Sequence, residues 1–154
     1  MKSNSDFIVS EHDLFPEIEN ILNQGNSVRF TVSGNSMWPL IIHNRDSVLL
    51  TSCEKTHLKK GDIILFYAGQ GHHILHRITS IRPGGYITTG DGNLHRDGFV
   101  PVENVIAKVE KIYRKEKIIN CNKWYWKFIF RLWMMMFPIR GFLQNIIILI
   151  KKYV

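Results

Sequence analysis

Between Val28 and Tyr113 the chain is built of short runs rich in branched and aromatic residues and separated by turn signals, and in the first of them apolar residues alternate with polar ones. An alternation of period two puts the two sets of side chains on opposite faces of an extended strand. Such runs gain stability by pairing into a sheet that buries one face. In the first run, Val28, Phe30 and Val32 alternate with Arg29, Thr31 and Ser33. Ser47 to Thr51, Asp62 to Tyr67, Ile74 to Ile81, Tyr86 to Thr89 and Val105 to Tyr113 read as further strands, with turns at Gly69-Gln70-Gly71 and Pro83-Gly84-Gly85. Short strands with glycine turns predict a mainly β fold, a curled antiparallel sheet or partly open barrel. Ahead of it, Asp13 is placed to cap a short helix through Gln24, with Pro16 in its first turn and Gly25 beyond its end. Leu14, Ile18, Ile21 and Leu22 give that helix an apolar face.

Two points in this β region carry chemistry. Ser36 lies in the turn Ser33-Gly34-Asn35-Ser36-Met37-Trp38-Pro39, and forty residues later His76 sits in the apolar run Ile74-Leu75-His76-Arg77-Ile78. Serine at its ordinary pKa is a poor nucleophile and needs an adjacent proton acceptor. Histidine suits that task, because its unperturbed pKa of about 6.5 lies near working pH.

The boxes around both residues, taken in order, resemble the signal peptidase I and LexA-type serine peptidase superfamily. Gly34-x-Ser36-Met37-x-Pro39 resembles its nucleophile box. Lys60-Gly61-Asp62-Ile63-Ile64-Leu65-Phe66 is similar to its Gly-Asp strand, and His76-Arg77-Ile78 to its base box. Gly90-Asp91-Gly92-Asn93 with Asp97 resembles its Gly-Asp-Asn segment, and Val100 to Val109 its closing strand. Histidine rather than lysine at position 76 is similar to the archaeal, endoplasmic-reticulum and sporulation-type branch, which also carries downstream acidic residues. The resemblance implies a coiled, partly open antiparallel barrel of that superfamily's type and a serine endopeptidase. Ser36 would be the nucleophile and His76 the base, with Asp97 preferred over Asp91 for orienting the imidazole. The backbone N–H of Ser36 would be the first oxyanion donor. The serine that many members carry two positions before the nucleophile is here Gly34, which leaves Ser33 or backbone groups of the Ser33-Gly34-Asn35 turn as the second. Met37 and Trp38 read either as lining of the substrate cleft or as core. No cofactor is implied.

The histidines offer a competing chemistry. His72, His73, His76 and His95 cluster in sequence, and His72 and His76 would share a strand face. A zinc site needs three or four suitably spaced ligands, and Cys53 and Cys121 are too far apart in sequence to form a ligand pair. No metal is expected. Two unpaired cysteines also give no disulfide framework.

Charge divides the chain. Residues 108–154 hold eleven Lys or Arg against two Glu, whereas the first 107 residues are slightly acidic, so the net +7 belongs to the tail. From Trp124 to Ile150, 20 of 27 residues are hydrophobic. In a helix, Lys127, Arg131, Pro138 and Asn145 fall on one narrow stripe, which resembles a helix lying at a membrane interface. Pro138 and Gly141 divide it into two helices. Arg131 and Arg140 count against one clean crossing, which takes about 20 apolar residues. The domain reading is therefore 1–25 as an N-terminal segment with a short helix, 26–114 as the β-rich peptidase domain, and 115–154 as a hydrophobic basic tail. The partners expected are a precursor polypeptide and, through residues 124–150, a membrane surface; nucleic acid is not expected.

The N-terminus shows no apolar stretch of the signal or anchor kind. Basic residues beside the tail favour the cytoplasmic face of the cytoplasmic membrane. That location sets removal of signal peptides against a dedicated cytoplasmic maturation of one peptide precursor. An inactive scaffold binding extended peptides by strand addition keeps the fold without the chemistry. The residues preceding the nucleophile strand leave no room for the DNA-binding domain of a self-cleaving repressor.

Overall fold

The computed structural model describes residues 11–153, with side chains described over 14–150. The first ten residues, on which the absence of an anchor was read, lie outside the described part. Helix α1 (Glu11–Asn23) opens the fold. It is already helical at Glu11, so Asp13 lies within it rather than at its start. Gly25 ends the helix at φ 80°, and its N–H donates to the Leu22 carbonyl while that of Asn26 donates to Ile21. A side chain there would be strained, and glycine avoids the cost. Phe15, Ile18 and Leu22 form the buried face of α1.

Eight strands follow: β1 (Val28–Thr31), β2 (Asp46–Thr51), β3 (Ile63–Gly69), β4 (His72–Arg82), β5 (Gly85–Thr89), β6 (Phe99–Pro101), β7 (Val105–Arg114) and β8 (Lys117–Asn120). They form one antiparallel sheet in the order β1-β2-β7-β3-β4-β5-β6, with β8 added on β7. Lys108 of β7 pairs both Thr51 of β2 and Ile64 of β3, and further along Ile112 pairs both Val48 of β2 and Ile119 of β8. So β3 and β8 lie end to end along one side of β7, with β2 on the other. The outer strands β1 and β6 are not paired to each other, and among the described residues the sheet stays open. The mainly β fold with a short N-terminal helix and C-terminal helices is the one expected.

The sheet is apolar on both faces. On one, Val48, Leu50, Ile63, Leu65, Val109 and Ile112 meet α1 and Met37. On the other, Ile64, Phe66, Ile78, Tyr86, Val100 and Val105 form a smaller cluster closed by Leu58. That is why β3 reads Ile-Ile-Leu-Phe with four successive buried residues instead of an alternation.

The stretch read as a tail is tied into this body. Strand β8 extends the sheet, and Ile119, Cys121 and Phe130 belong to the larger core cluster. Helix α2 (Trp124–Met135) and helix α3 (Arg140–Tyr153) follow, joined by a 3-10 turn at Phe137–Ile139 and bent by 57°. The break falls at Pro138, as the sequence implied, whereas Gly141, expected to share it, lies inside α3. Phe130→Ala should therefore destabilise the protein by about 3–5 kcal/mol. Phe128→Ala, on the exposed side of α2, should stay within about 0.5 kcal/mol. Urea unfolding of the two variants checks this, and equal midpoints would mean that α2 does not pack on the sheet.

Candidate active site

Strand β4 presents His76 and Arg77 to opposite faces of the sheet, and both are buried. On the first face, His76 Nδ1 lies 2.5 Å from Asp97 Oδ2. Against an ionised carboxylate that nitrogen must carry a proton, so in the neutral ring the free lone pair is on Nε2. The same Asp97 oxygen accepts from Thr88 Oγ1 at 2.8 Å, and the Asp97 N–H donates to the Thr88 carbonyl at 2.9 Å. Thr88 is fully buried on β5. It holds the far end of the loop between β5 and β6, so Asp97 returns to the sheet beside His76. Burial alone would push the Asp97 carboxyl up. Hydrogen bonds from His76 and Thr88, with the imidazolium charge, outweigh it and hold the group below the usual carboxylate range.

On the other face, Arg77 Nε and Nη2 donate to Asp91 Oδ1 and Oδ2 at 2.8 and 2.6 Å, and its Nη1 donates to the Gly61 carbonyl at 2.8 Å. The guanidinium lies 4.1 Å from the centre of the Phe130 ring. Asp91 is thus spent on a buried bidentate pair, and the imidazole partner is Asp97.

Ser36 starts the turn that follows β1. Met37 is fully buried in the larger core and anchors this turn. The Gly34 N–H donates to His43 Nδ1 at 2.9 Å, and the Trp38 N–H donates to the Asn35 carbonyl at 3.0 Å. Gly34, at φ 90°, is therefore occupied by His43 and not free as an oxyanion donor. Asp46 closes the base of the loop. It is fully buried, accepts from the Ile42 N–H at 3.0 Å and pairs with Arg45 and Arg114.

The turns bearing Ser36 and Gly90 are pressed together. The Gly92 N–H donates to the Ser36 carbonyl at 2.7 Å. A Cβ at Gly90 would overlap that same carbonyl and would stand 2.9 Å from His76 Nε2, so only glycine lets the Ser36 turn and the imidazole share this space. Ser36 and His76 also line one cavity of about 300 Å³, with Ser33, Met37, His73 and Phe15 in its wall. Among the described residues no hydrogen bond joins Ser36 Oγ to His76. His73 stacks on Phe15 at 4.0 Å and its buried Nδ1 has no partner. Trp38 lies elsewhere, in a groove with Asn35, Gly92, Gln144 and Ile148. Beyond Asp97 a second cavity of about 510 Å³ runs along Phe66, Ile74 and Phe99. Among the described residues no three His, Cys, Asp or Glu side chains converge as metal ligands.

Sequence reasoning missed what stands behind the Gly90 turn. Side chains of the C-terminal helices donate to four successive carbonyls. Arg140 Nη1 reaches Gly90 at 3.2 Å and Asn93 at 3.1 Å, Trp133 Nε1 reaches Asp91 at 3.1 Å, and Gln144 Nε2 reaches Gly92 at 3.0 Å. Arg140, which the sequence counted as a charge against membrane insertion, is 1% exposed. Only its place in the mostly apolar stretch from Trp124 to Leu143 hinted at a fixed partner.

No protein-family model matches the chain, and no curated protein matches it.

Two outcomes follow from this geometry. Gly90→Ala should destabilise the fold by about 1–3 kcal/mol in chemical unfolding, because the added methyl meets backbone rather than a movable side chain; Gly98→Ala, with open space around it, should not. Asp97 has a folded pKa below its unfolded value near 3.9, so its stabilising share is complete above that pH and is lost as pH falls through the folded value. Asp97→Asn should flatten the acid side of the stability–pH curve, and an unchanged slope would remove Asp97 from the His76 pair.

Proposed function

We propose that the protein is a serine endopeptidase that cleaves a signal or leader peptide from a precursor polypeptide. The observation that carries the reading is the ordering of the imidazole: Nδ1 on Asp97, Nε2 turned toward the Gly90–Ser36 contact. That is the arrangement a serine–histidine–carboxylate mechanism needs. Resemblance to the histidine branch of the signal peptidase superfamily, resting on the motifs, agrees with it.

In this mechanism Ser36 Oγ attacks the scissile carbonyl carbon while His76 Nε2 takes its proton. The C–N bond then breaks as the imidazolium returns that proton to the leaving amine, giving an acyl-enzyme. Water, deprotonated by the same nitrogen, releases the acid and restores Ser36. Asp97 stays ionised and holds the ring and its tautomer. The Ser36 N–H is the first oxyanion donor, and Ser33 in the cavity wall is the second candidate. The two cavities flanking the His76–Asp97 pair suit an extended peptide. The same reading puts the enzyme at a membrane surface through residues 124–150, whose exposed side chains are mostly apolar.

Ser36→Ala and His76→Ala should each lower turnover of a precursor peptide by roughly 10⁴-fold or more. Asp97→Asn should cost less, with folding intact. Asp91→Asn should instead lower stability, since it strips a buried cation of its partner. Peptide cleavage assayed by mass spectrometry, beside a thermal melt of each variant, separates these effects. Activity of Ser36→Ala within about tenfold of the unmodified protein would refute the nucleophile, and intact peptide binding with no cleavage by any form would leave a peptide-binding scaffold.

A further inference from the structure

Helix α2 has three distinct faces. Phe130 and Trp133 turn inward and are buried, and Trp126 packs beside them. Trp124, Phe128, Leu132 and Met135 recur at helical spacing on the outward side, where Trp124 and Met135 are each 77% exposed. Ile139 and Phe142, the latter 70% exposed, continue this apolar surface past the bend. Between the inward and outward faces stand Lys127 and Arg131.

These two basic residues line a cavity of about 400 Å³ whose opposite wall is the turn before β3, with Lys59, Lys60 and Gly61. Lys108 also reaches it but is paired with Asp62 at 3.0 Å, and His57 is paired with Glu54 at 2.7 Å. Among the described residues, the side chains of Lys59, Lys60, Lys127 and Arg131 have no carboxylate partner. Four unpaired cations around one cavity repel one another, and that repulsion is relieved by an anion. The two pairs come from parts of the chain more than sixty residues apart, so their convergence is a product of the fold and not of a basic run.

We propose that this cavity binds the phosphate of an anionic phospholipid headgroup, while the outward face of α2 and the start of α3 lie in the adjoining acyl layer. Lys127 and Arg131 sit where headgroups would meet the helix, one residue around from Phe128 and Leu132. Their stems can run along apolar surface while their charges reach phosphate. Arg131 adds a planar fork matched to phosphate oxygens. Among the described residues no single helix is long and apolar enough to cross a bilayer; α2 and the stretch after it reach that length only as a pair bent by 57°, a shape that suits the interface. A soluble phosphate shares the headgroup's chemistry, but it would leave the apolar face beside the cavity uncovered. The inference rests on the membrane reading for its ligand and not on the peptidase reading, and its test uses no substrate.

The test is flotation of the full chain with phosphatidylcholine vesicles, with and without phosphatidylglycerol. The unmodified protein should bind the phosphatidylglycerol vesicles more tightly. The pair Lys59→Gln/Lys60→Gln, outside the apolar helices, should weaken that binding on the order of 25-fold, about fivefold per charge, and leave binding to phosphatidylcholine alone unchanged. Lys115→Gln/Lys117→Gln, an exposed pair at the β7–β8 turn, should have a clearly smaller effect. Phe128→Ser/Phe142→Ser should weaken binding to both kinds of vesicle. Equal losses from the two lysine pairs would mean diffuse surface charge and no site. Equal affinity for the two vesicle types would remove the headgroup. Saturable binding of inorganic phosphate that leaves vesicle binding untouched would assign the cavity to a soluble anion. Self-association of the chain without vesicle binding would make a second copy the occupant of the apolar face.

Discussion

The buried pair of Arg77 and Asp91 is the interaction on which the candidate site depends. Arg77 is the neighbour of His76 on β4, so fixing one side chain sets the strand from which the other projects. Its three nitrogens bind Asp91 twice and the Gly61 carbonyl once, and its flat face rests on Phe130. One guanidinium thereby joins β4, the loop after β5, the turn before β3 and helix α2. Buried charges of this kind are costly unless every donor is matched, and a single loss leaves an unpaired charge in the interior. The gain is positional. Asp91 is held at one end of a short loop whose neighbours, Gly90 and Gly92, contact the Ser36 turn.

The C-terminal helices support this loop from the outside. Arg140, Trp133 and Gln144 donate to the carbonyls of residues 90 to 93, of which that of Gly90 also accepts from the Asn93 N–H within the loop. The helices thus serve two surfaces at once. Their inner sides hold the loop that packs between the Ser36 turn and the His76 ring, and their outer sides carry exposed aromatic and aliphatic residues. An anchor attached through a flexible linker would have no such contact with the site. Here, any partner or lipid that engages the outer face touches the elements that fix the Gly90 turn.

Much of this was legible from residues alone, for a local reason. The alternation of Val28, Phe30 and Val32, the apolar runs of β3 and β4 and the glycine turns report a strand period that each segment carries within itself. The serine in its small-residue turn and the histidine in its apolar strand were legible for the same reason. Strands β6 and β8 were not. Each has three or four residues, and each exists only because β5 or β7 offers it an edge to pair with.

Contacts distant in sequence were settled by the fold. Asp91 and Asp97 are both short-range candidates downstream of His76, and spacing could only prefer one. The path of the loop decided, turning Asp91 inward to a cation and bringing Asp97 back onto Thr88 and His76. Trp38, two residues beyond Ser36 in the same turn, lines a different groove, with Gln144 and Ile148 of α3. The tail shows the same division. Its composition determined that it would be helical, apolar and broken near Pro138, since those are properties of neighbouring residues. That Phe130 and Arg140 face the body while Phe128 and Phe142 face outward was decided only when the helices met the sheet, because burial is a relation between segments and no one segment contains it.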